Sequence, residues 1–428
     1  MPGQTPPPVV GFGTHTAAIG ELVASVYAAG SGATRSGHPD DPSPGVPSIP
    51  ALMDRLATRG LTGVVSVDAG SLTALVQGRC PLARVVATLV HRGLMPLTTP
   101  APAARTLGGA ITRESVGSSS FATGTFAASV TELHLLTPSG AIVAASPSGP
   151  HADLFHRIVG REGPSECFIV AARIRLVQAE DFVVTRTVGL PNARDLAAAL
   201  AVIAHEATWE GQPVQFVEAT VRANTYTIAL GRAVTGAEAP LHAVSPSHYD
   251  RGGPPYAATL SPGASDLLTM TDYLQRWEPD GFWRSFHYGL AHRGVRRAWP
   301  ARLRTPSVYA RLDALMDSPN PAQLLERLAR WQPGAPRVFR EVAVPLAALG
   351  ELLESLNGIV REVPLWVTPF ATHGDDAGPI PSADPTFWAY CGIWGPGAHQ
   401  RTGHNVGAEN AIDRLTAALG GRTVRFGG

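Results

Sequence analysis

The 428-residue sequence predicts an α+β fold in two domains, 1–180 and 181–428. Two β-hairpin patterns with an amphipathic helix between them occupy the first part of the chain. A second group, in which a helix is followed by two neighbouring strands, begins after residue 180. The chain is long enough for each group to bury a sizeable core.

Short local patterns predict the first elements of the N-terminal domain. Apolar residues spaced as on one helix face predict a helix over Ala17–Ala29. Val64–Val67 and Leu72–Val76 flank a turn that contains glycine, which predicts a β-hairpin. Leu82–Arg92 has apolar residues three and four positions apart, so it predicts an amphipathic helix.

The segment Thr106–Ser120 joins a Gly-Gly pair to a run of three serines. Glycine lets the backbone approach a ligand closely, and serine hydroxyls and free N–H groups can bind phosphate or ring oxygens. The alternative is that these glycines only permit tight turns. We predict a loop that cradles a ligand, followed by a strand-turn-strand pattern at Thr131–Ala145 and a final strand at Phe168–Val177.

The C-terminal domain is predicted to contain helices and strands in mixed order. The predicted helices are Asp195–Glu206, Tyr309–Met316, Ala322–Trp331 and Ala408–Leu419. The predicted strands are Pro213–Val221, Thr225–Leu230 and Leu365–Phe370, and Val338–Leu356 is predicted as a strand followed by a helix. Residues 233–265 are rich in Pro, Gly and Ser, which predicts a long loop.

Composition excludes several functional classes. The 34 basic and 34 acidic residues balance and form no basic block, so electrostatic binding of nucleic acid is not expected. No apolar run is long enough to span a bilayer, and no signal-peptide pattern is present at the N-terminus. The three widely spaced cysteines, Cys80, Cys167 and Cys391, form no metal or disulfide pattern. We expect a cytoplasmic protein.

The Gly-Gly and serine segment, the hairpin after it, Asp153-Leu-Phe155 and the final strand occur in an order that resembles the vanillyl-alcohol oxidase superfamily. Within it, the sequence is most similar to Δ24-sterol reductases and their bacterial relatives. Further matching segments are Gln215–Ala219, Asp272–Trp277, Val342–Pro345, Pro364–Phe370 and Gly392–Pro396. The resemblance implies a two-subdomain PCMH-type FAD-binding domain, followed by an α+β substrate (cap) domain.

The resemblance also implies which residues contact FAD. In the family, the Gly-Gly and serine segment and an upstream glycine-rich loop surround the diphosphate and the isoalloxazine edge. The implied residues are Arg35, Ser36, Gly37, His38, Gly108, Gly109, Ser115, Gly117, Ser118, Ser119 and Ser120. His38 could attach the flavin covalently, but a solvated loop histidine is the simpler interpretation, so we expect non-covalent FAD.

Two loops depart from the family pattern. Arg113-Glu-Ser115 replaces a Gly-x-Gly, and Gly163–Cys167 replaces a Gly-Thr-Leu-Gly turn. The first change adds charged side chains, and the proline in the second removes a backbone donor. If Arg113, Glu114 and Glu166 filled the ring volume, the flavin could not bind. We expect them to point outward, with Ser115 and the three following serines lining the cavity.

Tyr273 and Arg276 are the candidate catalytic residues. They are three positions apart on a predicted helical turn, with Trp277 beside them, so they can share one face. Their role would be to orient or protonate a substrate. The alternative is an aromatic core cluster with a surface arginine. The histidines near the C-terminus have no metal-ligand spacing, so no metal is expected.

Taken together, these features indicate an FAD-dependent oxidoreductase that acts on a hydrophobic small molecule, as in secondary metabolism. One alternative is a flavin-degenerate member of the fold that catalyses a non-redox cyclisation or isomerisation. Another is a non-catalytic partner subunit. The sequence leaves a homo-oligomer open.

Overall fold

The computed structural model describes residues 6–33, 60–101, 105–113, 115–160, 167–222, 224–240, 244–249, 254–280, 290, 293–305, 308–309, 311–312, 337–360, 364–372, 386–396 and 406–424. Within these ranges, helices and antiparallel strands are mixed, as an α+β fold requires. The predicted fold class is therefore confirmed. The predicted helices at Tyr309–Met316 and Ala322–Trp331 lie mostly or wholly outside the described residues.

The first sheet is built around one long strand. Its strands are β1 (Val64–Asp68), β2 (Thr73–Gln77), β3 (Leu94–Pro96), β4 (Val130–Leu136), β5 (Ile142–Ala145) and β6 (Phe168–Gln178). The order is β1-β2-β6-β4-β5, and β3 pairs with the C-terminal end of β6. The apolar run at the start of β6 is buried on both faces of the sheet. Both predicted hairpins are confirmed.

Five described helices accompany this sheet. They are α1 (Phe12–Ala33), α2 (Leu82–Val90), α3 (Leu107–Ile111), α4 (Ser120–Thr123) and α5 (Ala152–Ile158). The amphipathic helix predicted at Leu82–Arg92 is confirmed, because Val85 and Leu89 enter the core of this sheet. Helix α1 is longer than the prediction at both ends.

The Gly-Gly pair is not a loop, so that prediction is wrong. Gly108 and Gly109 lie in the first turn of α3, whose N-cap Thr106 accepts a 3.2 Å hydrogen bond from the Gly109 N–H. The Gly108 N–H donates to the Gly78 carbonyl at 2.8 Å. A good cap and a close backbone contact offset the low helix propensity of glycine.

The second sheet has eight strands and begins four residues after the first one ends. Its strands are β7 (Phe182–Leu190), β10 (Phe216–Arg222), β11 (Thr225–Val234), β12 (Ser265–Thr269), β13 (Arg337–Pro345), β14 (Leu365–Thr372), β15 (Thr386–Pro396) and β16 (Arg422–Val424). Their order is β12-β7-β11-β10-β14-β15-β13-β16, all antiparallel. Two further short strands, β8 (Thr208–Trp209) and β9 (Gln212–Pro213), pair with each other. The domain boundary at residue 180 stays a prediction.

The two faces of the second sheet are covered differently. The described helices of this part are α6 (Ala193–Glu206), α7 (Met270–Gln275), α8 (Arg293–Ala298), α9 (Leu349–Ile359) and α10 (Val406–Ala418). Side chains of α6, α9 and α10 form an aliphatic core on one face. The other face is aromatic and packs against Val86 of α2 and Val116. Helix α2 and the segment around Val116 therefore pack on the aromatic face of the second sheet.

Helix α1 is anchored to the first sheet by a buried histidine. The Nδ1 atom of His15 lies 3.1 Å from Nε2 of Gln77 on β2. Its ring stacks with that of His134, which hydrogen-bonds Glu132. Burial lowers the pKa of His15 below its ordinary value of 6.5, and the neighbouring His134 lowers it further.

This histidine should make stability depend on pH. The unfolded chain binds the His15 proton more tightly than the folded one, so His15 stabilises the fold above pH 6.5 and this contribution is lost as the pH falls through the folded-state pKa. We expect the free energy of unfolding, measured in urea between pH 7.5 and about pH 5, to fall less steeply in His15→Gln than in wild type. Identical slopes would contradict this assignment.

Candidate functional site

The serine-rich segment, residues 115–120, lies between the two sheets. The Val217 N–H on β10 donates to the Ser118 carbonyl at 2.7 Å. On the adjacent strand β14, the Thr368 hydroxyl donates to the carbonyls of Gly117 and Val217, at 3.4 and 3.1 Å. The segment is therefore hydrogen-bonded to the aromatic face of the second sheet.

Two of the three serine side chains complete the local fold. The Ser119 hydroxyl donates to the Leu97 carbonyl at 2.9 Å. The Ser120 hydroxyl accepts from the Gly117 N–H at 2.9 Å. Both serines are buried. These hydroxyls hold the segment in shape and are already hydrogen-bonded without a ligand.

Polar groups without partners remain beside Gly117. The Ser115 and Thr99 hydroxyls are buried, and neither has a hydrogen-bond partner in the described part of the chain. Thr99 packs directly on Gly117, where an added Cβ would lie 2.1 Å from the Thr99 carbonyl oxygen. A buried hydroxyl without a partner is unfavourable, and a ligand can satisfy it. Ser115 and Thr99 therefore carry the candidate ligand-binding hydroxyls of this part of the chain.

The other residues predicted to contact FAD have different surroundings. Gly108 and Gly109 are half-buried and lie where α3 packs against the turn at Gly78. Arg113 is half-buried. Arg35, Ser36, Gly37, His38, Glu114 and Glu166 lie outside the described residues. The outward arrangement of the three charged residues stays a prediction.

A buried carboxylate organises the aromatic face opposite the serine segment. Glu218 accepts from the Arg276 guanidinium at 2.8 and 3.0 Å through Oε1. Its Oε2 accepts from the indole N–H groups of Trp277 at 3.0 Å and Trp366 at 2.8 Å. We refer to Glu218, Arg276, Trp277 and Trp366 as the Glu218 cluster. The sequence does not single out Glu218 for this role, because its only signal is one acidic residue in the mostly apolar strand Phe216–Val221.

The structure brings Tyr273 and Arg276 together, as their spacing predicts. The Arg276 guanidinium lies 3.9 Å from the centroid of the Tyr273 ring. Arg276 is only 3% exposed, so it is not the surface arginine of the alternative interpretation. The Tyr273 hydroxyl donates to the Ser118 hydroxyl at 3.2 Å. Tyr273 therefore connects the Glu218 cluster to the serine segment.

The protonation states of this pair follow from burial and charge. Burial raises the pKa of Tyr273 to about 12, against the opposing effect of Arg276. Burial alone would lower the pKa of Arg276, but the charge of Glu218 outweighs it and raises that pKa above its ordinary value. At neutral pH the guanidinium is charged and the Tyr273 hydroxyl holds its proton.

Comparison with known families bears on the first part of the chain. Residues 55–146 match a family described as an FAD binding domain. The match includes both hairpins and the serine segment, and it indicates that the chain binds FAD. It also supports the FAD-binding PCMH-type superfamily. No curated protein matches the chain. None of the described helices combines the length and hydropathy needed to cross a membrane.

Proposed function

We propose that this chain is an FAD-dependent oxidoreductase acting on a hydrophobic small molecule. One observation supports this proposal most directly. Ser118, in the segment that matches an FAD binding domain, is hydrogen-bonded to the hydroxyl of Tyr273 on the aromatic face. A cofactor loop and a protonated side chain thus meet where the two sheets join. The resemblance to Δ24-sterol reductases agrees with this arrangement.

The cofactor would be held without a covalent bond. Ser115 and Thr99 offer the hydroxyls that lack partners, and Arg35–His38 is the proposed diphosphate loop. Close packing of Gly117 on Thr99 keeps these groups in place. When bound, FAD supplies the capacity to accept or donate a hydride.

The second domain would supply the substrate site and a proton donor. Tyr273 keeps its proton at neutral pH, so it can donate one to a substrate atom. Arg276 is saturated by Glu218 and lies on the Tyr273 ring, so its role is to position that ring. The aromatic side chains that cover this face are Phe216, Tyr256, Trp277, Trp366, Phe370, Tyr390 and Trp394. These side chains are buried against one another, and such an apolar environment would keep water away from a substrate bound beside them.

FAD binding tests the proposal directly. We expect the purified protein to be yellow, or to quench the fluorescence of added FAD on titration. Ser115→Ala should weaken FAD binding about tenfold, because one hydrogen bond to the ligand is lost. The matched control is Ser139→Ala, in an exposed turn. Protein that neither carries FAD nor gains thermal stability from it would favour the non-redox alternative.

Tyr273→Phe removes the proposed proton donor but keeps the aromatic ring, so it distinguishes an effect on turnover from an effect on folding. Removal of the Tyr273 hydroxyl should lower the free energy of unfolding by about 1 kcal/mol, since its hydrogen bond to Ser118 is lost. Turnover should fall by about 10²–10⁴. The assay would follow flavin absorbance with an active substrate found by screening hydrophobic alcohols and alkenes. Wild-type turnover in a folded, FAD-loaded variant would exclude Tyr273 as the donor.

A further inference from the structure

A second feature of the aromatic face is a polar cavity of about 250 Å³ near the edge of the second sheet. It lies over β7 and β12, and Ser247, Tyr249, Tyr256, Thr259 and Leu260 border it on the other side. Its polar lining includes Thr187, Ser247, Tyr249, Tyr256 and Asp266. Thr185 and Thr187 lie two and four positions beyond Val183 on β7, so they share its face, and Val183 packs into the aromatic cluster. The cavity therefore opens on the same sheet face as Tyr273.

One wall of the cavity is a fixed carboxylate. The Tyr249 hydroxyl donates to Asp266 Oδ2. The Ser247 hydroxyl donates to Oδ1 at 2.6 Å, and the Leu267 N–H donates to the same oxygen at 2.9 Å. Asp266 is thereby saturated and holds Tyr249 and Ser247 in place. No described residue that lines the cavity carries a positive charge. The negative charge of Asp266 is therefore not offset by a cation in the described lining, and it repels an anionic ligand.

Two other polar groups at the cavity have no partner. The hydroxyls of Tyr256 and Thr187 make no side-chain hydrogen bond with the described residues, and neither oxygen is among the fully buried atoms without a partner, so both are accessible from the cavity. Polar groups inside a protein normally have a hydrogen-bond partner, which here must come from the cavity. Both side chains line the cavity, so a ligand inside it can supply the missing partners.

The size and walls of the cavity restrict the ligand further. At roughly 30 Å³ per water, 250 Å³ corresponds to about eight waters, or one small ring with its substituents. The rings of Tyr249 and Tyr256 meet edge to face at 5.1 Å and give the cavity an aromatic wall. We propose that this cavity binds an uncharged ring that carries a hydroxyl group.

The position of Tyr256 connects this cavity to the candidate catalytic residues. Its ring contacts that of Trp277 at a centroid distance of 5.0 Å and lies 5.3 Å from the Arg276 guanidinium. A ligand in the cavity would therefore lie next to the Glu218 cluster. The hydroxylated ring would be one end of the hydrophobic substrate, an assignment that rests on the proposed function.

Cyclohexanol is a suitable probe, with cyclohexanecarboxylate as its charged counterpart. Binding to the full-length protein would be measured by ligand-observed NMR without added FAD. We expect cyclohexanol to bind and the carboxylate not to bind. Tyr256→Phe and Thr187→Val should each weaken cyclohexanol binding about tenfold. Tyr226→Phe makes the same change on the opposite, helix-covered face and should leave binding unchanged.

Equal binding of the two probes, no binding of cyclohexanol, or unchanged affinity in Tyr256→Phe would overturn the assignment. That variant removes a hydroxyl without a partner among the described residues, so its fold should be retained even where Thr187→Val does not fold. The probe assay needs neither FAD nor turnover. A failed FAD titration therefore counts against the proposed function alone, and a failed probe assay counts against the cavity alone.

Discussion

Glu218→Gln should lower the free energy of unfolding by about 3–5 kcal/mol, because it leaves the Arg276 charge buried beside a neutral amide. The substitution keeps the shape of the side chain, so cavity formation contributes little. Glu218 also accepts hydrogen bonds from Trp277 and Trp366, and the amide can replace only part of this acceptor capacity. Urea unfolding at neutral pH measures the difference.

The matched control is Glu354→Gln on helix α9. Glu354 also pairs with an arginine, Arg194, at 2.9 Å, but both side chains are well exposed. Such surface pairs contribute about 0–1 kcal/mol. Similar losses in the two variants would mean that Glu218 does not compensate a buried charge, and the interpretation of the Glu218 cluster would be wrong.

Gly117→Ala should destabilise the protein by about 1–3 kcal/mol and abolish FAD binding. The new Cβ would lie 2.1 Å from the Thr99 carbonyl oxygen and 2.9 Å from the Thr99 carbonyl carbon. Both are backbone atoms, so no side-chain rotation relieves the overlap. The backbone around Ser115 and Thr99 must shift, and the proposed cofactor contacts shift with it. Thermal unfolding and FAD titration report the two effects.

Gly20→Ala provides the comparison for this substitution. Gly20 is exposed in helix α1, and an added Cβ would meet nothing within 4 Å. There alanine should stabilise the helix by about 0.5–1 kcal/mol, because it restricts the unfolded chain and favours helix. If Gly117→Ala behaved in the same way and retained FAD, the close packing on Thr99 would be disproved.

Elements with strong local patterns could be predicted from the sequence. The hairpins at β1–β2 and β4–β5 and the helix α2 depend on residue alternation, turn composition and helical spacing within about a dozen residues. Both hairpins and α2 lie within residues 55–146, which match an FAD binding domain. A pattern formed by neighbouring residues can be recognised in the sequence even when the tertiary fold is unknown.

Non-local contacts account for what the sequence did not reveal. Glycine propensity predicted a loop at Gly108 and Gly109, but the Thr106 cap and the distant Gly78 carbonyl favour a helix. Glu218 is a single acidic residue in a mostly apolar strand, and its hydrogen-bond partners lie 58 or more positions away along the chain. Strand β15 was missed because its glycines and aromatic residues obscure the alternation.

The serine segment links the stability of the two halves of the molecule. Its backbone carbonyls accept hydrogen bonds from the strands of the second sheet, while its own shape is fixed by Ser119 and Ser120 within the first half. Separation of the halves would therefore leave the segment folded locally but would expose the carbonyls of Gly117 and Ser118. A substitution that shifts this backbone would disturb the contact between the halves and the buried Ser115 hydroxyl together.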